Sequence, residues 1–259
     1  MSRHNRIPIK SARDIEKMRE AGRVASDVLQ ALAKMVEPGR TTDEIDKLAA
    51  ELMAKHDSKS AFLGYRSFPG QICISVNEEV VHGIGGARRI QPGDIVKIDV
   101  GVIKGGFIGD NATTVAAGDI PQETKRLLAA TEQSLYEAIA WARPGKRLFD
   151  LCGAVEDYVK PLGFTVVREF VGHGVGRKLH EEPQVPNYRP NGKSPILMPG
   201  MTLAIEPMVN AGRPGVRILD DGWTVITEDR SASAHFEHTV LVTDGDPEIL
   251  TWRPRETFV

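Results

Sequence analysis

Apolar residues recur at alternating steps of three and four through Ile15, Met18, Gly22, Ala25, Leu29, Leu32 and Val36, the spacing that lines one face of a helix. Ser11, with Asp14 three residues on, supplies a capping box at its start. A second helix begins at Thr41 with Glu44, turns Ile45, Leu48, Ala49, Leu52 and Met53 inward, and is set off from the first by EPGRTT. After GDIP the pattern repeats, with a helix over about 122–142, the break RPGKRLFD and a helix to about residue 160. The matching Pro-Gly breaks start at Pro38 and Pro144.

Other segments alternate with period two. In 95–103, Val96, Ile98, Val100 and Val102 point one way and Lys97, Asp99 and Gly101 the other. In 201–206, Met201, Leu203 and Ile205 oppose Thr202, Ala204 and Glu206. One face is apolar enough to meet helices, and the other carries small and acidic residues where a charged ligand would sit. The segments also correspond: QPGDIVKID (91–99) lines up with MPGMTLAIE (198–206), and VHGIG (81–85) with GHGVG (172–176). Two matches in the same order, behind matching helix pairs, indicate an internal duplication of about 105 residues. The expected fold is α+β, one domain over 1–259 with repeat-related halves at about 11–118 and 121–245. Helices should cover the outer face of a mostly antiparallel, curved sheet.

Two aspartates interrupt what otherwise reads as a buried apolar hairpin, IVKIDVGVIKGGFIGD (95–110). A turn at Lys104-Gly105 sets Asp99 directly opposite Asp110; a turn at Gly105-Gly106 moves the register by one pair. Either keeps both on one face. Like charges across strands are destabilising, and the remedies are a proton held by one carboxyl or a cation between them. The same face should receive Glu206. A fourth acid, Glu237, lies in SASAHFEHTVLVT, with Glu237, Thr239 and Leu241 on one side and Phe236, His238, Val240 and Val242 on the other. Four carboxylates exceed what proton sharing can settle. Two divalent cations would balance them, and bridging carboxylates with one imidazole suit a metal pair about 3.5–4 Å apart. His173 in GHGVG is the candidate imidazole, because flanking glycines let backbone come close to a site. His4, His56, His235 and His238 read as structural histidines.

Composition narrows the class. The 259 residues carry a net charge of -2, which gives no general reason to bind nucleic acid or a membrane. No apolar run reaches membrane-spanning length and residues 1–25 lack a signal-peptide core, so cytoplasmic residence is expected. The basic N-terminal residues (Arg3, Arg6, Lys10, Arg13, Lys17, Arg19, Arg23) are interspersed with acids from Asp14 onward and read as a solvated helix face. Cys73 and Cys152 lie far apart without a CxxC or Cys/His spacing, which indicates neither a disulfide framework nor a zinc finger.

The ordered motifs ISVNEEVVHGI, GDIVKIDVGVIKGGFIGD, GHGVGRKLHEEPQVPNY, PGMTLAIEPMVNAG and DGWTVITEDRSASAHFEHTVLVT resemble those of the type I methionine aminopeptidases, metallopeptidases of the pita-bread fold. The resemblance runs from about Ile15 to Val242. It implies that duplicated, pseudo-twofold α+β fold and places five metal ligands at Asp99, Asp110, His173, Glu206 and Glu237. Asp110 and Glu237 would bridge two divalent ions, Asp99 would bind one, and His173 and Glu206 the other. It further implies an activated water that attacks the scissile carbonyl, with Glu206 as proton shuttle. His180 would hydrogen-bond the developing oxyanion and His82 would lie near the scissile nitrogen. Tyr65, Phe68, Cys73 and Trp223, together with these two histidines, match the positions that hold an unbranched methionine side chain.

The implied activity is removal of the initiator methionine from nascent proteins whose second residue is small, in the cytoplasm and near the ribosome, where the basic N-terminal segment could help. Manganese, iron and cobalt suit the donor set, with zinc a further candidate. Four positions depart from common family patterns. Leu179 replaces an aromatic and Phe62 a smaller residue, which together reshape the pocket. Gly101 and Ala204 replace hydroxyl residues beside ligands, which alters the surroundings of the metals.

Two alternatives differ in chemistry. An Xaa-Pro aminopeptidase or dipeptidase of the same fold uses the same ligand types, but usually carries a large N-terminal domain ahead of the first helix. A non-catalytic peptide- or ribosome-binding member would have lost a ligand, and none of the five positions is altered. GHGVGR has the wrong glycine spacing for a dinucleotide loop, and Gln184 stands where an HExxH motif would need histidine.

Overall fold

The computed structural model describes residues 7–255; His4, Arg3 and Arg6 lie outside the described residues. Among the described residues there are four α-helices: α1 (Ala12–Ala33), α2 (Thr42–Lys55), α3 (Gln122–Ile139) and α4 (Leu148–Val159). The strands are β1 (Lys59–Ser60), β2 (Cys73–Val76), β3 (Glu79–Val81), β4 (Ile95–Lys104), β5 (Phe107–Ala116), β6 (Thr165–Val166), β7 (Gly172–Gly174) and β8 (Glu181–Val185), followed by β9 (Thr202–Ile205), β10 (Met208–Asn210), β11 (Val216–Ile218), β12 (Val225–Thr227), β13 (Ser233–His235), β14 (Glu237–Leu241) and β15 (Glu248–Ile249). Both capping boxes form, Ser11 with Asp14 and Thr41 with Glu44, so α1 and α2 begin where local chemistry satisfies their first N–H groups.

The main sheet has the order β1-β4-β5-β14-β9-β7-β8, with β2 also on β4 and β15 on β14. Its ladders are antiparallel. Two three-stranded sheets, β13-β10-β6 and β11-β12-β3, flank it. The alternation of β4 has the expected consequence: Val96, Ile98, Val100 and Val102 pack in one apolar body with Leu29 of α1 and Ile45 of α2. Leu203 and Ile205 of β9 and Val240 of β14 join Leu135 of α3 and Leu151 of α4 in a second. Helix α1 lies directly on β5, since a Cβ on Gly109 would collide with the Ala21 backbone. Helices therefore take one face of the sheet, and the other is left to the site.

The β4–β5 hairpin turns through Gly105 and Gly106, with φ of 58° and 79°. A two-residue turn with both central residues at positive φ matches the twist of the strands. Lys104 pairs with Phe107, so Asp99 faces Ala112 and Gly101 faces Asp110. The aspartates are thus two pairs apart along the ladder, on a shared face.

Two lysines differ from the sequence reading. Lys10 is not on a solvated face: it precedes α1, is buried, and its Nζ lies 2.7 Å from Glu181 Oε2. Lys97, on the small-and-acidic face of β4, is wholly enclosed and donates to the carbonyl oxygens of Asn77 (2.6 Å) and Ser233 (2.9 Å). Both gain long-range partners that periodicity does not encode. Among the described residues no helix is long and apolar enough to cross a membrane.

Candidate active site

Five adjacent strands of the main sheet, β4, β5, β14, β9 and β7, deliver the acids and the histidine. The β4–β5 hairpin presents Asp99 and Asp110; β14 pairs with β5 so that Glu237 stands across from Ala112. Glu206 follows β9, and His173 on β7 lies opposite Ala204 of that strand. The glycines around His173 are needed because β7 is pressed between two neighbours. A Cβ at Gly172 would collide with the Ala204 carbonyl, and one at Gly174 with the Glu182 carbonyl.

Asp99, Asp110 and Glu237 each offer a carboxylate oxygen within 4.8 Å of the others. His173 Nε2 lies 3.8 Å from Asp110 Oδ2 and 3.6 Å from Glu206 Oε1. Its Nδ1 is 2.9 Å from the Gly174 carbonyl oxygen, which can only accept, so Nδ1 carries the proton and the Nε2 lone pair faces the acids. Burial drives this imidazole down to about 3, with the His180 charge adding to the effect. A neutral nitrogen pointing its lone pair at carboxylates is unfavourable unless a proton or cation lies between.

The acids carry the same strain. Burial, then the Asp110 charge, holds Asp99 well above the usual range, and burial pushes Asp110 up to about 7. Burial and their acidic neighbours raise Glu206 and Glu237 likewise. Asp99 Oδ1, Asp110 Oδ1 and Glu237 Oε1 are buried without a hydrogen-bond partner, although buried polar atoms are normally paired. Orphaned carboxylate oxygens around one imidazole lone pair fit divalent cations, whose arrival would displace the protons that burial favours.

Above this floor is a cavity of about 280 Å³ whose walls include Tyr65, Phe68, Cys73, Trp223, Phe62 and Leu179. The structure brings every residue expected at the site to it. Trp223 is held by its backbone N–H to Asp221 Oδ1 (2.8 Å) and packs edge-on to Phe68 with ring centres 5.1 Å apart. Cys73 pairs with Asp99 across β2 and β4, and its thiol, pushed well up by burial and the nearby acids, donates to that carboxylate. His180 reaches the mouth, with Nδ1 2.7 Å from Tyr65 Oη and its ring 4.2 Å from that of His173. Burial, and then Arg66, lowers its pKa.

His82 has φ of +60°, a left-handed backbone that strains a residue with a side chain and often marks functional positions. Gly83 beside it passes so close to the Ile74 carbonyl that a Cβ would collide. The His82 ring stands edge-on to Phe170 (5.4 Å) and Trp223 (6.2 Å), and burial lowers its pKa to about 4. Phe62 lies over Gly101, occupying the space that a side chain at 101 would fill.

Sequence reasoning missed several neighbours. Arg66, Phe170 and Met208 line the cavity, with no local pattern to mark them. His235, read as structural, places Nε2 3.6 Å from Glu206 Oε2. Extending the alternation of Glu237 and Thr239 back by two residues would have put it on the site face.

Residues 16–244 match the model of metallopeptidase family M24. A methionine aminopeptidase 1 of Bacillus subtilis is 48% identical over 245 residues, 95% of this chain and 99% of the relative. A crystal structure of methionine aminopeptidase from Thermotoga maritima superposes with a TM-score of 0.93 at 44% identity, covering 96% of this chain and all of that one (100%). A prolidase from Pyrococcus furiosus has a TM-score of 0.76 at 23% identity over 95% of this chain and 66% of its own, a likeness of fold alone. The architecture is the pita-bread α+β fold these proteins share.

Proposed function

The chain belongs to metallopeptidase family M24 and, within it, to the methionine aminopeptidases, and on that premise we propose how its own residues release an N-terminal methionine. Buried carboxylate oxygens of Asp99, Asp110 and Glu237 without hydrogen-bond partners, at the floor of an apolar cavity, carry this reading.

Two divalent ions, manganese, iron, cobalt or zinc, would be held by Asp99, Asp110, His173, Glu206 and Glu237. Bound there, they supply Lewis-acid charge that activates water and polarises a peptide carbonyl. Glu206 takes the proton of the attacking water and returns it to the departing nitrogen. His180 would donate to the carbonyl oxygen from Nε2, with its Nδ1 accepting from the Tyr65 hydroxyl 2.7 Å away. His82, kept neutral by burial, stands by the scissile nitrogen. The thioether side chain packs among Tyr65, Phe68, Cys73 and Trp223, where sulfur against aromatic rings is favourable.

The substrates are peptides with an N-terminal methionine and a small second residue, and nascent chains leaving the ribosome in the cytoplasm are their source. One catalytic domain spanning both repeat-related halves does the chemistry, since Asp99 and Asp110 come from the first and His173, Glu206 and Glu237 from the second.

Metal-stripped protein should cleave neither Met-Ala-Ser nor Ala-Pro-Ala, and manganese or cobalt should restore methionine release from the first alone. His180→Ala should then lose about 100-fold or more in kcat, the scale of an oxyanion donor. Cleavage of Ala-Pro-Ala alone would move the protein to the Xaa-Pro class, and no cleavage with metal bound would make it a binding protein.

A further inference from the structure

His180 closes the loop between β7 and β8, and this loop is tied down from the far end of the chain. Glu181, the next residue, folds its carboxylate back over the loop. Its Oε1 accepts the backbone N–H groups of Arg177 (3.0 Å) and Lys178 (3.2 Å), while Oε2 meets Lys10 Nζ at 2.7 Å. Both side chains are nearly enclosed, at 6% and 11% exposure. Gly176 makes room for the pair, because a Cβ there would sit 2.7 Å from both Glu181 Oε1 and Lys10 Cε. Lys10 is itself fixed: its backbone N–H donates to the Gly200 carbonyl at 2.8 Å, and Ser11 after it caps α1. A second, exposed tie joins Asp14 of α1 to Arg177 of the loop at 3.0 Å.

An enclosed ion pair adds little net stability over an apolar replacement, because desolvation offsets the attraction. What this one does specify is where the loop backbone lies, and hence where His180 stands relative to His173 and Tyr65. We propose that Lys10 is a positioning residue for the reaction: through Glu181 it braces the loop that holds His180 over the cleavage site. The inference rests on the reading of His180 as the group that meets the carbonyl oxygen. Lys10, just ahead of α1, then serves the active site directly.

The test uses metal-loaded protein, Met-Ala-Ser hydrolysis and a manganese titration. Lys10→Met should lower kcat about tenfold while KM changes less than about twofold, since a loosened catalytic group loses rate more than binding. Manganese affinity should hold, and Lys10→Arg should recover most of the rate. In a His180→Ala background Lys10→Met should cost little more, whereas in a His82→Ala background it should cost its full factor. An equal loss in both backgrounds, or a folded Lys10→Met with unchanged kcat, overturns the brace. Should Lys10→Met not fold, Glu181→Gln, which keeps the oxygen that accepts the two N–H groups, must lower kcat in the same way; unchanged kcat there overturns it too. Full activity in His180→Ala itself would remove the role of His180 and the brace with it, so the two failures are told apart.

Discussion

Asp110 carries its cost in the bare protein. Burial raises its carboxyl to about 7, above the roughly 3.9 of an exposed aspartate, so the folded chain keeps a proton there that the unfolded chain has released. Stability tied to that proton is fully present below the unfolded value and is lost as pH rises through the folded one. Metal-free Asp110→Asn should therefore melt several degrees above metal-free wild type at pH 8, and the gap should close towards pH 4.5. His173 and His235, held down near 3 by burial, act in the opposite sense as pH falls below their unfolded range, but alike in both proteins. With manganese the order should reverse, because only wild type has the full donor set. A metal-free variant that melts below wild type at pH 8 in scanning fluorimetry would argue against uncompensated charge at the site. At the same scale, Tyr65→Phe removes the donor to His180 Nδ1 and should lower kcat about tenfold with KM nearly unchanged, if the hydroxyl sets the tautomer.

A loop meets a strand tightly where Phe62 covers Gly101 of β4. A methyl group there must displace the ring, so Gly101→Ala should cost about 1–3 kcal/mol in urea unfolding. In a Phe62→Ala background the same change should cost far less, since the obstruction is gone; equal costs in both would show that the ring does not respond. Phe62 and Gly101, read from the sequence as separate features, are thus one packing arrangement. Helices and strands were more transparent. The three-and-four spacing behind Ser11 and Thr41 and the alternation in β4 and β14 are local consequences of burying one face, and they placed Asp99, Asp110, Glu206 and Glu237 on a common face. The hairpin register stayed open between two turns, because either satisfies the alternation and only the formed Gly105-Gly106 turn separates them.

Across the whole molecule, the last described residues return to the site. Arg253, buried, donates to the Ala112 carbonyl at 2.6 Å and the Glu237 carbonyl at 3.3 Å, joining the C-terminal segment to the two strands that carry Asp110 and Glu237. Arg253→Met should lower unfolding stability by about 3 kcal/mol in urea titrations, since the strand carbonyls lose a charged donor; a loss within error would mean that the strands hold themselves. Contacts of this kind separate what was readable from what was not. Sequence by itself determined the helix pairs, the facing of the strands and, through ordered motifs, the five candidate metal ligands and the pocket residues around them. Only the tertiary structure decided that Lys10 lies on Glu181, that Lys97 is enclosed between Asn77 and Ser233, and that His235 stands beside Glu206. The reason is physical: one buried face repeats every 3.6 or 2 residues and leaves a period in the chain, whereas partners 29 or 171 positions apart meet by how the elements stack, and stacking leaves no period to read.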